Sequence, residues 1–243
     1  MRRGKKTAII AICMIVFPIL MGIGFRITKG TPQKAPKLKR FYAVIDGQLE
    51  SDYTKEVKDT LWHIVPPFTF TDQDGKKVTE KTFADNIYIA DFIFTSCPGI
   101  CPKMTESMAK VQDKMVDKVD NIMFLTHTVD PENDTPKRFK RYAERFGADE
   151  KTWKFVTGSE EDLYSICGKG YYLSCQAGSD GTEEFDHSGR LVLVDRDRII
   201  RGYYLGYDDK DVEKLINDIF ILQLEYEKED RDFQYQVRPK VAG

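Results

Sequence analysis

Apolar residues run almost unbroken through "IYIADFIF", Ile87 to Phe94, and then recur three to four residues apart at Met104, Met108, Val111 and Met115. The first pattern predicts a strand covered on both faces, and the second predicts one face of a helix. Upstream, "PPFTFTDQDGKKVT" alternates, breaks at an Asp-Gly turn and resumes, which predicts a β-hairpin. Downstream, "IMFLTHTV" predicts the next strand. "NDTPKRFKRYAERFG" predicts a helix with Thr135 as N-cap, Pro136 in the first turn, Gly147 at its end, and Phe139, Tyr142, Ala143 and Phe146 facing the core. "TWKFVTG" predicts a short strand, and a helix follows from Ser159, with acidic residues where the dipole favours them, to near Gly168. "RLVLVDRDRIIRGYY" predicts a pair of strands. Val212, Leu215, Ile216, Ile219 and Phe220 mark a last helix, beyond which the charged stretch from Glu225 predicts an exposed or disordered tail.

The predicted order is hairpin, then β-α-β-α-β-α, an inserted loop, and β-β-α. That is a thioredoxin-like α/β fold with an N-terminal β-hairpin and an insertion before the last β-hairpin. The expected divisions are a basic N-terminus over 1–7, a transmembrane helix over 8–25, a linker over 26–60, the folded domain over 61–224 and a charged tail over 225–243.

Ala8 to Phe25 carries no charge, and its length lies at the short end of what crosses a bilayer. No Ala-x-Ala site follows it, so a retained anchor is expected in preference to a cleaved signal peptide. Ile12 is too bulky before Cys13 for a lipoprotein signal, which leaves Cys13 within the apolar span. Arg2, Arg3, Lys5 and Lys6 crowd its N-terminal edge, which favours that end inside the cell and the rest outside the cytoplasm. The formal net charge is -2, and the basic residues gather at the membrane end rather than over the folded part, so no nucleic-acid partner is expected. "TKGTPQKAPKLKR" reads as a linker lying near anionic headgroups.

The candidate chemistry lies in "FTSCPGICP". Cys97 and Cys101 stand one helical turn apart at the C-terminal end of the buried strand, where open α/β sheets carry their sites. A helix starting near Cys101 would favour thiolates, which serve disulfide exchange and soft-metal binding alike; a structural staple is the third reading. Asp91, inside the strand, could accept a proton from the second cysteine during exchange, or simply fix the strand as a hydrogen-bonded acid.

Together "FTSCPGICP", "TVDPENDTP" and "DHS" ahead of a strand resemble, in order and spacing, the Sco/SenC family over about Pro66 to Ile221. The resemblance implies a membrane-tethered, thioredoxin-like copper-binding protein that assists assembly of the CuA site of cytochrome c oxidase. The family's copper ligands fall on Cys97, Cys101 and His187. Two thiolates and an imidazole suit Cu(I) and also accept Cu(II). Taken without the resemblance, His187 in "FDHSG" reads as a surface or capping histidine. Asp186 could hold its second ring nitrogen. The implied partners are the copper-receiving subunit of a haem-copper oxidase and a thiol reductant protein, with the domain on the periplasmic side of the inner membrane.

Other candidates read as structural. Asp130 ends a strand, and Asp134 or Thr135 caps a helix. His63 and His127 are packing or surface histidines, and Met104 and Met108 fill the core. Cys167 and Cys175, which depart from the family's pattern, enclose "GKGYYLS" and could close a disulfide worth ~2 to 3 kcal/mol in an oxidising compartment; a role as extra copper ligands is the lesser reading. Two functions stand at this point: a copper metallochaperone, which needs His187, and a thiol-disulfide oxidoreductase acting through Cys97 and Cys101, which does not.

Overall fold

The computed structural model describes residues 37–38, 40–43, 49–52, 63–115, 117–119, 121–176, 186–187 and 189–237. The expected basic N-terminus and anchor, with Cys13, lie outside them. Among the described residues no helix is long and apolar enough to cross a membrane.

A seven-stranded sheet runs in the order β11-β10-β5-β6-β7-β3-β4. Its parallel centre is β5 (Ile87–Ile93), β6 (Ile122–Thr128) and β7 (Trp153–Thr157). Every residue of β5 is buried, as expected of a strand covered on both faces. The predicted hairpin is β3 (Thr69–Asp72) with β4 (Lys77–Thr79). It extends the sheet beyond β7, and Gly75 takes the positive φ its turn requires. On the other side β10 (Arg190–Val194) pairs antiparallel with β5 and with β11 (Ile200–Leu205).

Helix α1 (Ile100–Met115) buries Met104, Met108, Val111 and Met115, the stripe read from spacing. Helix α2 (Pro136–Arg145) starts at the Thr135 cap, whose hydroxyl accepts from the Arg138 N–H, and ends before Gly147 at φ +69°. Its Phe139 and Tyr142 meet Phe155 of β7, and the Tyr142 hydroxyl lies 3.0 Å from that of Thr105, so α1 and α2 share a face of the sheet. Helix α3 (Glu160–Ser165), capped by Ser159, runs on into a π-helical turn over Ile166–Gly170.

Two expectations change. Within the presumed linker, β1 (Arg40–Ala43) and β2 (Leu49–Asp52) form an antiparallel pair. The Asp46-Gly47 dipeptide between these runs was an available hairpin signal. The charged stretch after Leu224 is also not a disordered tail as far as Val237, because the last helix, α4, spans Asp209–Val237. Its charges are engaged. Glu225 accepts from the Leu38 N–H at 2.6 Å and from Arg201 at 2.6 Å, and buried Arg201 also pairs with Asp195 at 3.1 Å. Tyr226 is buried, accepts from the Arg196 N–H at 3.1 Å and lies 4.0 Å from the Arg196 guanidinium. Charge periodicity along a sequence reads as solvent exposure; here one face of the helix, with Leu222, Glu225 and Tyr226, meets the domain while residues 227–230 are exposed as expected.

Candidate functional site

The sheet's C-terminal edge builds the cysteine loop. After β5 the Ile93 carbonyl accepts from the Val129 N–H, and a turn closes from the Cys97 N–H to the Phe94 carbonyl at 3.2 Å. The chain then enters α1 at Ile100. Cys97 therefore precedes a helix N-terminus, where unpaired N–H groups converge.

Both thiols are free and buried, Cys97 at 8% exposure and Cys101 at 0%. Their environments differ. Burial pushes the Cys97 thiol up, but it is outweighed by the N–H groups of Cys101, Gly99 and Ile100 and by the Cys101 thiol, all donating to its sulfur; the net shift is down. Burial pushes Cys101 well above the usual thiol range, and the neighbouring Cys97 sulfur and Asp91 add to the push, against a backbone contact at Phe94. The pair thus consists of a favoured thiolate and a reluctant thiol that hydrogen-bonds to it.

The motif "TVDPENDTP" has a role that sequence reasoning missed. The Asp134 carboxylate accepts from the Thr95 N–H at 3.1 Å, from the Thr95 hydroxyl and from the Thr128 hydroxyl at 2.8 Å, with Arg138 Nε 3.8 Å away. Burial still holds its pKa above the ordinary value. Asp134 is the strut of the cysteine loop, while Thr135 caps the helix. Its place in the capping sequence hid this, because a partner 39 residues away leaves no local signal.

Asp91 is fully buried in β5 opposite Thr126 of β6. Neither carboxyl oxygen has a hydrogen-bond partner of normal geometry among the described residues, and the reading of Asp91 as a hydrogen-bonded strand fixture is not supported. Burial pushes its pKa up to about 7, opposed only by the nearby Thr126 hydroxyl. This carboxyl group acts electrostatically on the Cys101 thiol and raises its pKa, without a hydrogen bond between the two among the described residues.

His187 lies in a two-residue strand, β9 (Asp186–His187), antiparallel to β8 (Cys175–Gln176), with Cys175 and His187 as register partners. The His187 imidazole lies outside the described side chains, as does the Asp186 carboxylate suggested to support it. Two residues on, Gly189 at φ +60° abuts the cysteine helix. A Cβ there would come within 2.8 Å of Ile100 Cδ1 and within 2.8 Å of Tyr207 Cε1, and the Gly189 carbonyl accepts from the Gly206 N–H at 2.9 Å. Two residues beyond His187 the chain therefore lies against the side chain of Ile100, the residue before Cys101.

The remaining candidates resolve as follows. Cys167 and Cys175 form a disulfide. His127 is completely buried, stacked on Phe92 at 4.3 Å and bonded through Nδ1 to the Asp91 carbonyl at 3.1 Å; burial lowers its pKa to about 3, so it is a neutral packing residue. His63 reaches the Gly170 carbonyl at 2.7 Å. Met104 and Met108 belong to the core. Asp130 accepts from Asn133 Nδ2.

Two soft sulfur donors one turn apart, one of them stabilised as thiolate, could hold a soft metal ion and leave room for a further ligand. Residues 57–221 match the protein family described as SCO1/SenC. The chain belongs to the SCO1/SenC family. Among its SCO1/SenC relatives, the "SCO1 protein homolog" of Bacillus subtilis (strain 168) is 32% identical over 166 residues, 68% of this chain and 86% of that one. The structure of BsSco, described as a member of the Sco family of cytochrome c oxidase assembly proteins in which a disulfide switch was identified, aligns with a TM-score of 0.60. It is 30% identical and covers 70% of this chain and 99% of its own. The copper-bound structure of Bradyrhizobium japonicum ScoI aligns with a TM-score of 0.54 and 26% identity, over 65% of this chain and 99% of its own.

Proposed function

We propose that this SCO1/SenC protein is a copper metallochaperone that takes copper through Cys97, Cys101 and His187 and assists maturation of the CuA centre of cytochrome c oxidase. The observation that carries the reading is the Cys97 sulfur at the N-terminus of α1, with Cys101 one turn on and Gly189, two residues beyond His187, against Ile100. The copper-bound ScoI relative and the oxidase-assembly family of BsSco support it. Copper is the cargo. Cys97 meets it as thiolate, Cys101 gives up its proton on binding, and the imidazole of His187 supplies the third donor. The partner is the copper-receiving subunit of a haem-copper oxidase. The apolar stretch from Ala8 to Phe25 anchors the chain in the inner membrane, with the domain on the periplasmic side. Competitive Cu(I) titration of the reduced chain, with EPR of the Cu(II) form, tests the ligand set. Cys97→Ser, Cys101→Ser and His187→Ala should each weaken binding, and unchanged stoichiometry and affinity in His187→Ala would remove the three-ligand site.

The buried Asp91 carboxyl group, its pKa raised and acting on Cys101, favours a second activity on the same sulfurs. In thiol-disulfide exchange the Cys97 thiolate attacks a partner disulfide and releases one partner thiolate, which takes up a proton. Asp91 accepts the Cys101 proton, and the Cys101 sulfur then displaces the second partner thiolate. The chain is left with a Cys97–Cys101 disulfide and the partner with two thiols. A thiol reductant protein returns two electrons and two protons to reset it. Exchange with a disulfide peptide that persists in His187→Ala and slows in Asp91→Asn would support this activity; no exchange in the wild type would end it.

A further inference from the structure

The Cys167–Cys175 disulfide has no part in the chemistry above. Cys167 is fully buried in the π-helical turn Ile166–Gly170, and its carbonyl accepts from the Leu173 N–H at 3.0 Å. The next turn is held to the sheet, since the Tyr203 hydroxyl donates to the Tyr171 carbonyl at 3.0 Å and the Tyr171 and Tyr88 hydroxyls lie 3.4 Å apart. The bridge carries this fixed point to Cys175, whose strand partner is His187. On the far side, Gly189 rests on Ile100 and Tyr207. The His187 strand is thus held at two ends, by the disulfide through β8 and by the glycine contact against α1. A two-residue strand pair is too short to persist without such anchors.

We infer that the Cys167–Cys175 disulfide is a positioning device for the third copper ligand: it fixes β8, and β8 holds the His187 strand beside the Cys97–Cys101 loop. This rests on the proposed role of His187. Fixing a ligand before binding lowers the ordering cost of binding, and loss of such support weakens metal sites by ~10-fold or more.

The test is a double-mutant cycle on the full chain in detergent, with Cu(I) affinity read by competition against a chromogenic chelator. The expected result is that Cys167→Ala with Cys175→Ser weakens copper binding by ~10-fold in the His187 background and has no further effect once His187 is alanine. Equal losses in both backgrounds, or no loss where His187→Ala does weaken binding, overturn the proposal while leaving the ligand reading intact. Amide hydrogen exchange of the copper-free chain provides a readout independent of metal. Asp186 and His187 should exchange faster without the bridge while β5 and β6 keep their protection, and unchanged exchange at these two residues overturns the positioning claim. If His187→Ala binds copper as the wild type does, the ligand reading falls and the copper part of the proposal with it; the exchange data then still report on the strand. Cys175→Ser alone, which leaves the buried Cys167 side chain in place, is the second variant should the double substitution fail to fold.

Discussion

Thr95 and Asp134 are joined twice, through the backbone N–H and the hydroxyl of Thr95, so that the loop carrying Cys97 hangs from the residue preceding the cap of α2. Thr128, at the end of the neighbouring strand, donates to the same carboxylate. Asp134→Ala leaves the buried Thr128 hydroxyl and the half-buried Thr95 donors without an acceptor, at a cost of about 1 to 3 kcal/mol. Urea unfolding should show that loss, and Asp134→Asn, which keeps one acceptor oxygen, should lose less. Equal stability of Asp134→Ala and wild type would mean that the loop stands without this strut.

The two thiols should react unequally. Iodoacetamide acts on the thiolate, so Cys97, whose pKa is lowered, should be alkylated well before Cys101 at neutral pH. Peptide mapping against time and pH checks the order. In Cys101→Ala the midpoint for Cys97 should move up, because a donor to its sulfur is gone. Faster labelling of Cys101 would contradict the assigned polarity of the pair.

Asp91 predicts a pH dependence of stability. Its folded pKa, about 7, lies above the ordinary carboxyl value of about 3.9, so between these pH values the folded chain holds a proton that the unfolded chain has released. The contribution is fully present below about pH 4, declines as pH rises to about 7 and is flat above that, with a total on the order of 4 kcal/mol as an upper figure. Asp91→Asn should remove this decline and raise the melting temperature at pH 8 relative to wild type. A wild-type profile that rises from pH 4 to pH 7 with no change in Asp91→Asn would refute the assignment.

Arg201 lies between Asp195 and Glu225 and also donates to the Leu38 carbonyl. Arg201→Met strips the buried Asp195 and the part-buried Glu225 of their cation and should cost about 3 to 5 kcal/mol, whereas removing a single exposed pair such as Lys110 with Asp209 should cost under about 1 kcal/mol. Chemical denaturation of both variants makes the comparison. Similar small losses would show that the segment at Leu38 and α4 are held by other contacts.

Much of this was legible locally. The all-buried β5, the methionine stripe of α1, the Thr135 cap and the Asp-Gly turn of the first hairpin each depend on side chains a few residues apart, and each appears in the structure. The site was legible only in part. Cys97 and Cys101 declare themselves by spacing, while His187 entered through resemblance alone and the structural role of Asp134 not at all. The end of α4 was misjudged because a charged helix reads as solvated until its partners are known, and Arg201 and Leu38 are both remote in sequence from Glu225.

By itself, then, the sequence determined the central strands, the helix starts and that two sulfurs follow a buried strand, because periodicity and turn chemistry act over a few residues. Only the tertiary structure decided that Cys97 is the favoured thiolate, that burial raises the Asp91 pKa, and that Cys175 faces the strand of His187. These depend on which groups burial brings together and which it leaves without water, and that is a property of the packed sheet rather than of any stretch of chain.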